Sequence, residues 1–156
     1  TKVVPHNDLD ALEDADIDRI FHTNVRGSFA CVRAFRSLLA DSVEGLVINI
    51  SSIAGTTAVG SNVAYCASKA AIDSMTKSLG RALAPEIRVV SIAPGWVAGE
   101  YASRADPAYL QYQADKTPLR RIANGADVAA AAIALSTTLR FNTGCIIPVD
   151  GGRQLT

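Results

Sequence analysis

The chain has 156 residues, 49% of them hydrophobic, with fifteen basic side chains against fifteen acidic ones and a pI near 6.6. That length supports one hydrophobic core and excludes two full-sized domains, and the balanced charge supplies no net field for a nucleic acid or an anionic membrane. Three cysteines, Cys31, Cys66 and Cys145, are an odd number without C-x-x-C or zinc-type spacing, so the expectation is a reducing, cytoplasmic setting.

No basic-then-apolar leader is visible, and the longest apolar stretch, Val128 to Leu135, is far short of the roughly 20 residues of a spanning helix, so a soluble protein is expected. Thr1 opens the chain without an initiator Met, which reads as a start in mid-fold.

From Asp14 the apolar positions Ile17, Ile20, Phe21, Val25, Phe29, Val32, Phe35 and Leu39 recur at three- and four-residue steps and predict one long amphipathic helix. Arg19, Arg26 and Arg33 are read as its solvated face rather than a phosphate-binding stripe. Leu46 to Ser51 is a short, β-branched apolar run of the kind a parallel strand shows when covered on both faces. Between Ala64 and Leu83 a second helix carries small residues (Ala67, Ala70, Ala71, Ser74, Ser78) on one face and Ile72, Met75 and Leu79 on another, and one of those faces is a candidate subunit contact. Ile87 to Ala93, closed by Pro94-Gly95, predicts the next strand. Glu100 to Asn124 is polar and tyrosine-bearing, which suits a mobile lid. Gly125 to Leu139 predicts an alanine-rich helix and Gly144 to Val149 a third strand, ending in Asp150-Gly151-Gly152. Such alternation implies an α/β fold in which helices flank a parallel sheet of about three strands, joined by right-handed crossovers.

Tyr65 and Lys69 lie four apart on the second helix, which puts an ammonium and a phenol on one face. Ser52 follows directly on the first strand, thirteen residues before Tyr65, and the C-terminal ends of strands are where open α/β sheets place their ligands. Asn24 on the upstream helix and Pro94-Gly95-Trp96-Val97 after the second strand converge on the same rim.

The ordered set Asn24-Val25-Arg26-Gly27, Ile48-Asn49-Ile50-Ser51-Ser52-Ile53-Ala54-Gly55, Tyr65-Cys66-Ala67-Ser68-Lys69, Pro94-Gly95-Trp96-Val97 and Val149-Asp150-Gly151-Gly152 resembles the consecutive signatures of the short-chain dehydrogenase/reductases, over nearly the whole chain. The resemblance implies the C-terminal part of a doubly wound, Rossmann-like sheet and an oxidoreductase that uses NAD or NADP. It implies that Tyr65 is the general acid/base, that Lys69 favours its ionised form and binds the nicotinamide ribose, that Ser52 holds the substrate oxygen, and that Asn24 anchors a water linked to Lys69. A unit charge about 4 Å from a phenol is worth about 4 kcal/mol at an effective dielectric of 20. It also implies that Pro94, Gly95 and the Val97 backbone adjoin the nicotinamide, that Ser52, Tyr65 and Trp96 meet the substrate, a small carbonyl compound or alcohol, and that the protein is a homodimer or homotetramer.

Two departures stand out. Gly99 occupies a position where the family usually has Thr, and the family's first strand, glycine-rich phosphate loop and Asn-Ala-Gly segment are not in this sequence. Gly55, Gly60 and Gly80 do not form such a loop. Residues 1–156 are therefore expected to be the catalytic part of one domain whose cofactor-binding half, roughly 80 to 100 residues by comparison with the family, is absent, leaving the strand at Leu46 to Ser51 without its inner neighbour. The alternatives are a non-catalytic fragment serving as an oligomerisation or binding module, and the related sugar-nucleotide epimerases and dehydratases, for whose substrate domain there is no room after Asp150. His6 and His22 lack partners at metal-ligand spacing, so no metal is expected.

Overall fold

The computed structural model describes residues 2–99 and 106–156. In chain order it contains α1 (Asp14–Phe21), a π-helical turn (His22–Gly27), α2 (Ser28–Ala40), β1 (Gly45–Ile50), α3 (Ala54–Thr57) and α4 (Val63–Ala82). These are followed by β2 (Ile87–Pro94), β3 (Val97–Ala98), α5 (Pro107–Asp115), β4 (Ala123–Asn124), α6 (Gly125–Thr137), β5 (Ile146–Val149) and a final 3-10 turn, Arg153–Leu155.

The three long strands form a parallel sheet in the order β1-β2-β5. The central strand β2 is fully enclosed: Val89, Val90, Ser91 and Ile92 are each 0% exposed, which is why its sequence reads as an unbroken apolar run. Alternate residues face opposite layers. Val90 and Ile92 pack with Leu46, Ile48 and Ile147 against Val128, Ala131, Ala132 and Leu135 of α6. On the other face Asn49 Nδ2 donates to Thr76 Oγ1 of α4 at 2.9 Å, so the one polar residue inside β1 is satisfied by the one buried threonine opposite it.

Both ends of α6 are closed by side chains. Asn124 and Asp127 form a reciprocal capping box at the start of α6, and the Arg88 guanidinium collects the carbonyls of Leu135, Leu139 and Asn142 at its end, at 3.0 to 3.3 Å, which satisfies groups a helix terminus leaves open.

The expected single helix from Asp14 to Leu39 is instead two α-helices joined by six π-helical residues. The polar stretch Glu100 to Asn124 holds α5 and β4, and β4 pairs in parallel with β3, which lies just before the stretch; this strand pair was not expected, and residues 100–105 lie outside the described residues. Strand and helix limits otherwise fall within one or two residues of the expectation. Among the described residues no helix is long and apolar enough to cross a membrane.

Candidate active site

The site is built on the first turns of α4. Asn62, buried and extended in backbone, caps this helix by accepting from the Tyr65 amide at 2.7 Å, while its own amide donates to the Lys2 carbonyl at 2.7 Å. Tyr65 is thereby held at a fixed point in the first turn. One turn on, Lys69 shares its face: the ammonium lies 5.6 Å from the centroid of the Tyr65 ring and donates to the carbonyl of Ile50, the last residue of β1, at 2.9 Å. Burial pushes the Lys69 ammonium below the usual lysine range, and Asp73 pulls in the opposite direction.

Ser51 and Ser52 continue the line of β1 past the sheet. The Ser51 amide bonds to Ile92 O at 2.8 Å and the Ile53 amide to Pro94 O at 3.1 Å, so the turn between them is pinned at both ends to β2. Ser52 Oγ accepts from the Ala54 amide at 3.1 Å, which starts α3 and leaves the hydroxyl proton available for donation. Gly55 seats this turn on α4: a Cβ there would stand 2.8 Å from the Ala70 nitrogen and from the Lys69 carbonyl carbon. Ser52 is thus carried by a turn in direct contact with the Tyr65–Lys69 helix.

Asn24 sits in the π-helical turn, a distortion that often accompanies functional positions. Its side-chain amide donates to Ser68 Oγ at 2.9 Å, Ser68 Oγ donates to the Tyr65 carbonyl at 2.8 Å, and Ser28 Oγ donates to the Asn24 carbonyl at 2.7 Å. Ser68 is 0% exposed. Asn24 therefore reaches the site through Ser68, next to Lys69 in the chain, and through it the Tyr65 carbonyl.

Pro94 ends β2 beside this turn. Gly95 bonds to Val149 O at 3.1 Å, and an added Cβ at Gly95 would meet Asp150 Cα at 3.0 Å, so its missing side chain makes room for the loop after β5. Trp96 packs edge-on against Tyr109 of α5, with ring centroids 5.9 Å apart at 68°. Val97 opens β3, and the Ala123 amide of its partner β4 donates to the Trp96 carbonyl at 3.2 Å. Asp150 closes its own turn by accepting from the amides of Gly152 and Gln154 at 3.0 and 2.9 Å.

Two concavities flank these elements. One of about 740 Å³ runs along α1, the π-helical turn and α4 between Phe21, Val25, Phe29 and Met75, rimmed by Asp18, His22 and Arg26, away from Tyr65 and Lys69. The other, about 290 Å³, adjoins Trp96, Thr117, Leu119, Arg121 and Asp150.

Asn62 and Asp73 lay outside the motifs, and Ser68 lay within Tyr65-Cys66-Ala67-Ser68-Lys69 with no role assigned to it. The cap was readable, as an Asn just before an apolar-periodic run. Asp73 is 9% exposed, and burial pushes its carboxyl above the usual range, opposed by Ser51, Lys77 and Lys69.

The profile of the family described as "Enoyl-(Acyl carrier protein) reductase" matches residues 3–154. The short-chain dehydrogenase/reductase homolog YusR of Bacillus subtilis is 39% identical over 132 residues, which cover 84% of this chain and all of that protein. A crystal structure described as a short-chain dehydrogenase/reductase from Burkholderia xenovorans superposes with a TM-score of 0.91 at 36% identity, covering 100% of this chain and 62% of that one. A 3-oxoacyl-[acyl-carrier protein] reductase from Brucella melitensis with bound NAD superposes with a TM-score of 0.85 at 30% identity, covering 99% of this chain and 59% of that one. The chain spans about three-fifths of the length of these two solved relatives.

Proposed function

The chain belongs to the short-chain dehydrogenase/reductase family, and on that premise we propose that it is the catalytic part of an NAD- or NADP-dependent oxidoreductase that interconverts a carbonyl and a secondary alcohol. The observation that carries the reading is the convergence of Tyr65, Lys69 and the Ser52 turn at one end of the sheet, with the Lys69 ammonium docked on the last carbonyl of β1. The nucleotide-binding half belongs to the length of the relatives that residues 1–156 do not match.

The donor set fits a nicotinamide ribose. Lys69 has three N–H donors, and one is engaged with Ile50 O, so two remain for a vicinal diol. The Val97 backbone, with Pro94 and Gly95 before it, is the group proposed to meet the carboxamide. When bound, the nicotinamide supplies or accepts the hydride. Tyr65 gives its proton to the substrate oxygen in reduction and takes it back in oxidation. Ser52 donates its hydroxyl proton to that oxygen, where negative charge develops, and Trp96 borders the substrate. Lys69 lowers the cost of a negative phenolate by its positive charge. Asn24 keeps Tyr65 in place through Ser68.

Tyr65→Phe removes one oxygen and tests this reading. In a protein that carries the nucleotide-binding half, turnover of carbonyl substrates, followed by nicotinamide absorbance, is expected to fall by at least about 100-fold, the usual worth of a positioned proton donor, with cofactor affinity retained; residues 1–156 alone are expected to be inactive. Unchanged turnover would rule out Tyr65 as the acid/base.

Self-association of the chain, as a homodimer or homotetramer, is supported by the apolar groove beside α4. Asp18 and Arg26 flank His22 at equal steps of four, so two copies related by a two-fold axis near His22 would set Asp18 of each against Arg26 of the other. Val25→Arg is expected to yield monomers by sedimentation; an unchanged mass would remove this face as the contact.

A further inference from the structure

Tyr65, Lys69, Asp73 and Lys77 follow one another at steps of four along α4, which makes one row of side chains. The first two belong to the proposed chemistry. Asp73 is an unexplained member: it is 9% exposed, and its Oδ1 atom is buried without a hydrogen-bond partner among the described residues. A carboxylate in that position is costly unless a neighbouring cation answers it.

The surroundings limit which cation that is. The turn after Ser52 closes over Asp73, since a Cβ on Gly55 would lie 3.0 Å from Asp73 Oδ2, and α3 adds only Ala54, Gly55, Thr56 and Thr57, none of which titrates. From the end of β1, Ser51 offers a hydroxyl, which donates to the Lys69 carbonyl at 3.2 Å. The elements packed on the rest of α4 carry Asp14, Asp16, Asp18, Arg19, His22, Arg26 and Arg88. Of these, Asp16 is engaged with Lys2 and Arg19, and Arg88 with the end of α6. Among the described residues the cations that bear on Asp73 are Lys77 and, after it, Lys69. Lys77 is exposed, whereas Lys69 is partly buried and fixed in place by Ile50 O.

We infer that Asp73 is a positioning residue for Lys69: its enclosed carboxylate, one helical turn beyond the ammonium, maintains the positive charge that Lys69 presents at the rim. In the folded protein the two groups titrate as a coupled pair, so the protonation of Asp73 sets the charge available beside Tyr65. The consequence for catalysis rests on the proposed oxidoreductase function; the electrostatic coupling itself does not.

The test uses the intact protein with isotopically labelled lysine and aspartate, followed by NMR over pH in the absence of substrate and nicotinamide. In Asp73→Asn the Lys69 side-chain signals are expected to titrate lower by on the order of one pH unit, the effect of removing a full charge one turn away. In the wild-type protein the Lys69 Cε signal is expected to show a second inflection at the midpoint of the Asp73 carboxyl, a measurement that stands even if the variant does not fold. A Lys69 signal with no inflection at that midpoint overturns the inference, as does an unchanged Lys69 midpoint in a folded Asp73→Asn protein. Loss of the oxidoreductase reading, by an active Tyr65→Phe protein, would leave both NMR outcomes unaffected, so the two failures are distinguishable.

Discussion

Gly55→Ala adds a single methyl group at the contact on which the geometry of the site depends. The new Cβ would stand 2.8 Å from two backbone atoms of α4, the Ala70 nitrogen and the Lys69 carbonyl carbon, and 3.0 Å from Asp73 Oδ2. Ordinary contact begins near 3.4 Å, so the turn must retreat by about half an ångström, because a helix backbone packed on the sheet does not yield as a flexible side chain would. Overpacking of this kind costs about 1–3 kcal/mol, and each kcal/mol lowers Tm by about 2–4 °C in a protein of this size. The same retreat carries Ser52 away from Tyr65. A 1 Å misplacement costs about 100-fold in rate, so a loss of about 10-fold in kcat/KM is expected for the proposed carbonyl reduction. Thermal unfolding and nicotinamide absorbance measure the two effects. Gly125→Ala is the control, because a Cβ there meets nothing within 4 Å and favours the helix. Wild-type Tm and wild-type kcat/KM in Gly55→Ala would together refute the claim that the Ser52 turn is seated on α4.

Three further outcomes follow from single contacts. Thr76→Val leaves the buried Asn49 amide without its acceptor, and a loss of about 1–3 kcal/mol is expected from the urea midpoint. Ser68→Ala removes the acceptor of Asn24; faster hydrogen exchange in residues 22–27 is expected, and unchanged exchange would show that the π-helical turn holds without it. The Arg121 guanidinium, by a paired hydrogen bond at 2.7 Å, and the Asn124 amide hold the Asp127 carboxyl down at about 2. A carboxyl depressed in the folded state stabilises above its unfolded value, near 3.9, and that contribution is lost as pH falls through about 2. Melting curves of Asp127→Asn and wild type are therefore expected to converge on acidification from pH 5 to pH 2.

The parts of the fold that were legible in the sequence are those whose local pattern and tertiary role agree. Ile87 to Ala93 reads as a covered strand because both its faces are in fact covered, and the α6 region reads as a helix because alanine propensity and the Asn124 cap point the same way. The π-helical turn was not legible. One extra residue in a helical turn shifts the apolar period by less than the ordinary alternation of three- and four-residue steps, so Phe21, Val25 and Phe29 look the same with or without it. Helix α5 was hidden because Gln113 is its buried residue while Tyr109 and Tyr112 are exposed, which gives no amphipathic stripe; its only local mark is Asp106-Pro107, a cap followed by a proline in the first turn. Tyr65, Lys69, Ser52 and Asn24 stood out through their motifs. Asp73 did not, since its significance lies in what encloses it, and that is set by a turn eighteen residues earlier in the chain.

The glycines separate the chemistry of this chain from the binding it requires. A Cβ on Gly80 would come within 2.6 and 2.7 Å of the Gly144 nitrogen and Cα, and one on Gly60 within 2.9 and 3.1 Å of Cys66 Sγ and the Tyr65 ring. With Gly55 on the Lys69–Ala70 backbone, these three serve close packing around α4 and β5. A phosphate-binding turn uses its glycines differently, presenting successive backbone N–H groups to the anion at a helix start. On the proposed reading, the rim supplies proton transfer, an oxygen-binding hydroxyl and a ribose-binding ammonium, while the pyrophosphate grip is assigned to the stretch of the relatives that residues 1–156 do not match. β1 is where the two functions would meet. Its outer edge carries no strand among the described residues, and its last carbonyl, on Ile50, holds Lys69, so a parallel strand added along that edge would bring the nucleotide to the side of the sheet where the ammonium already stands.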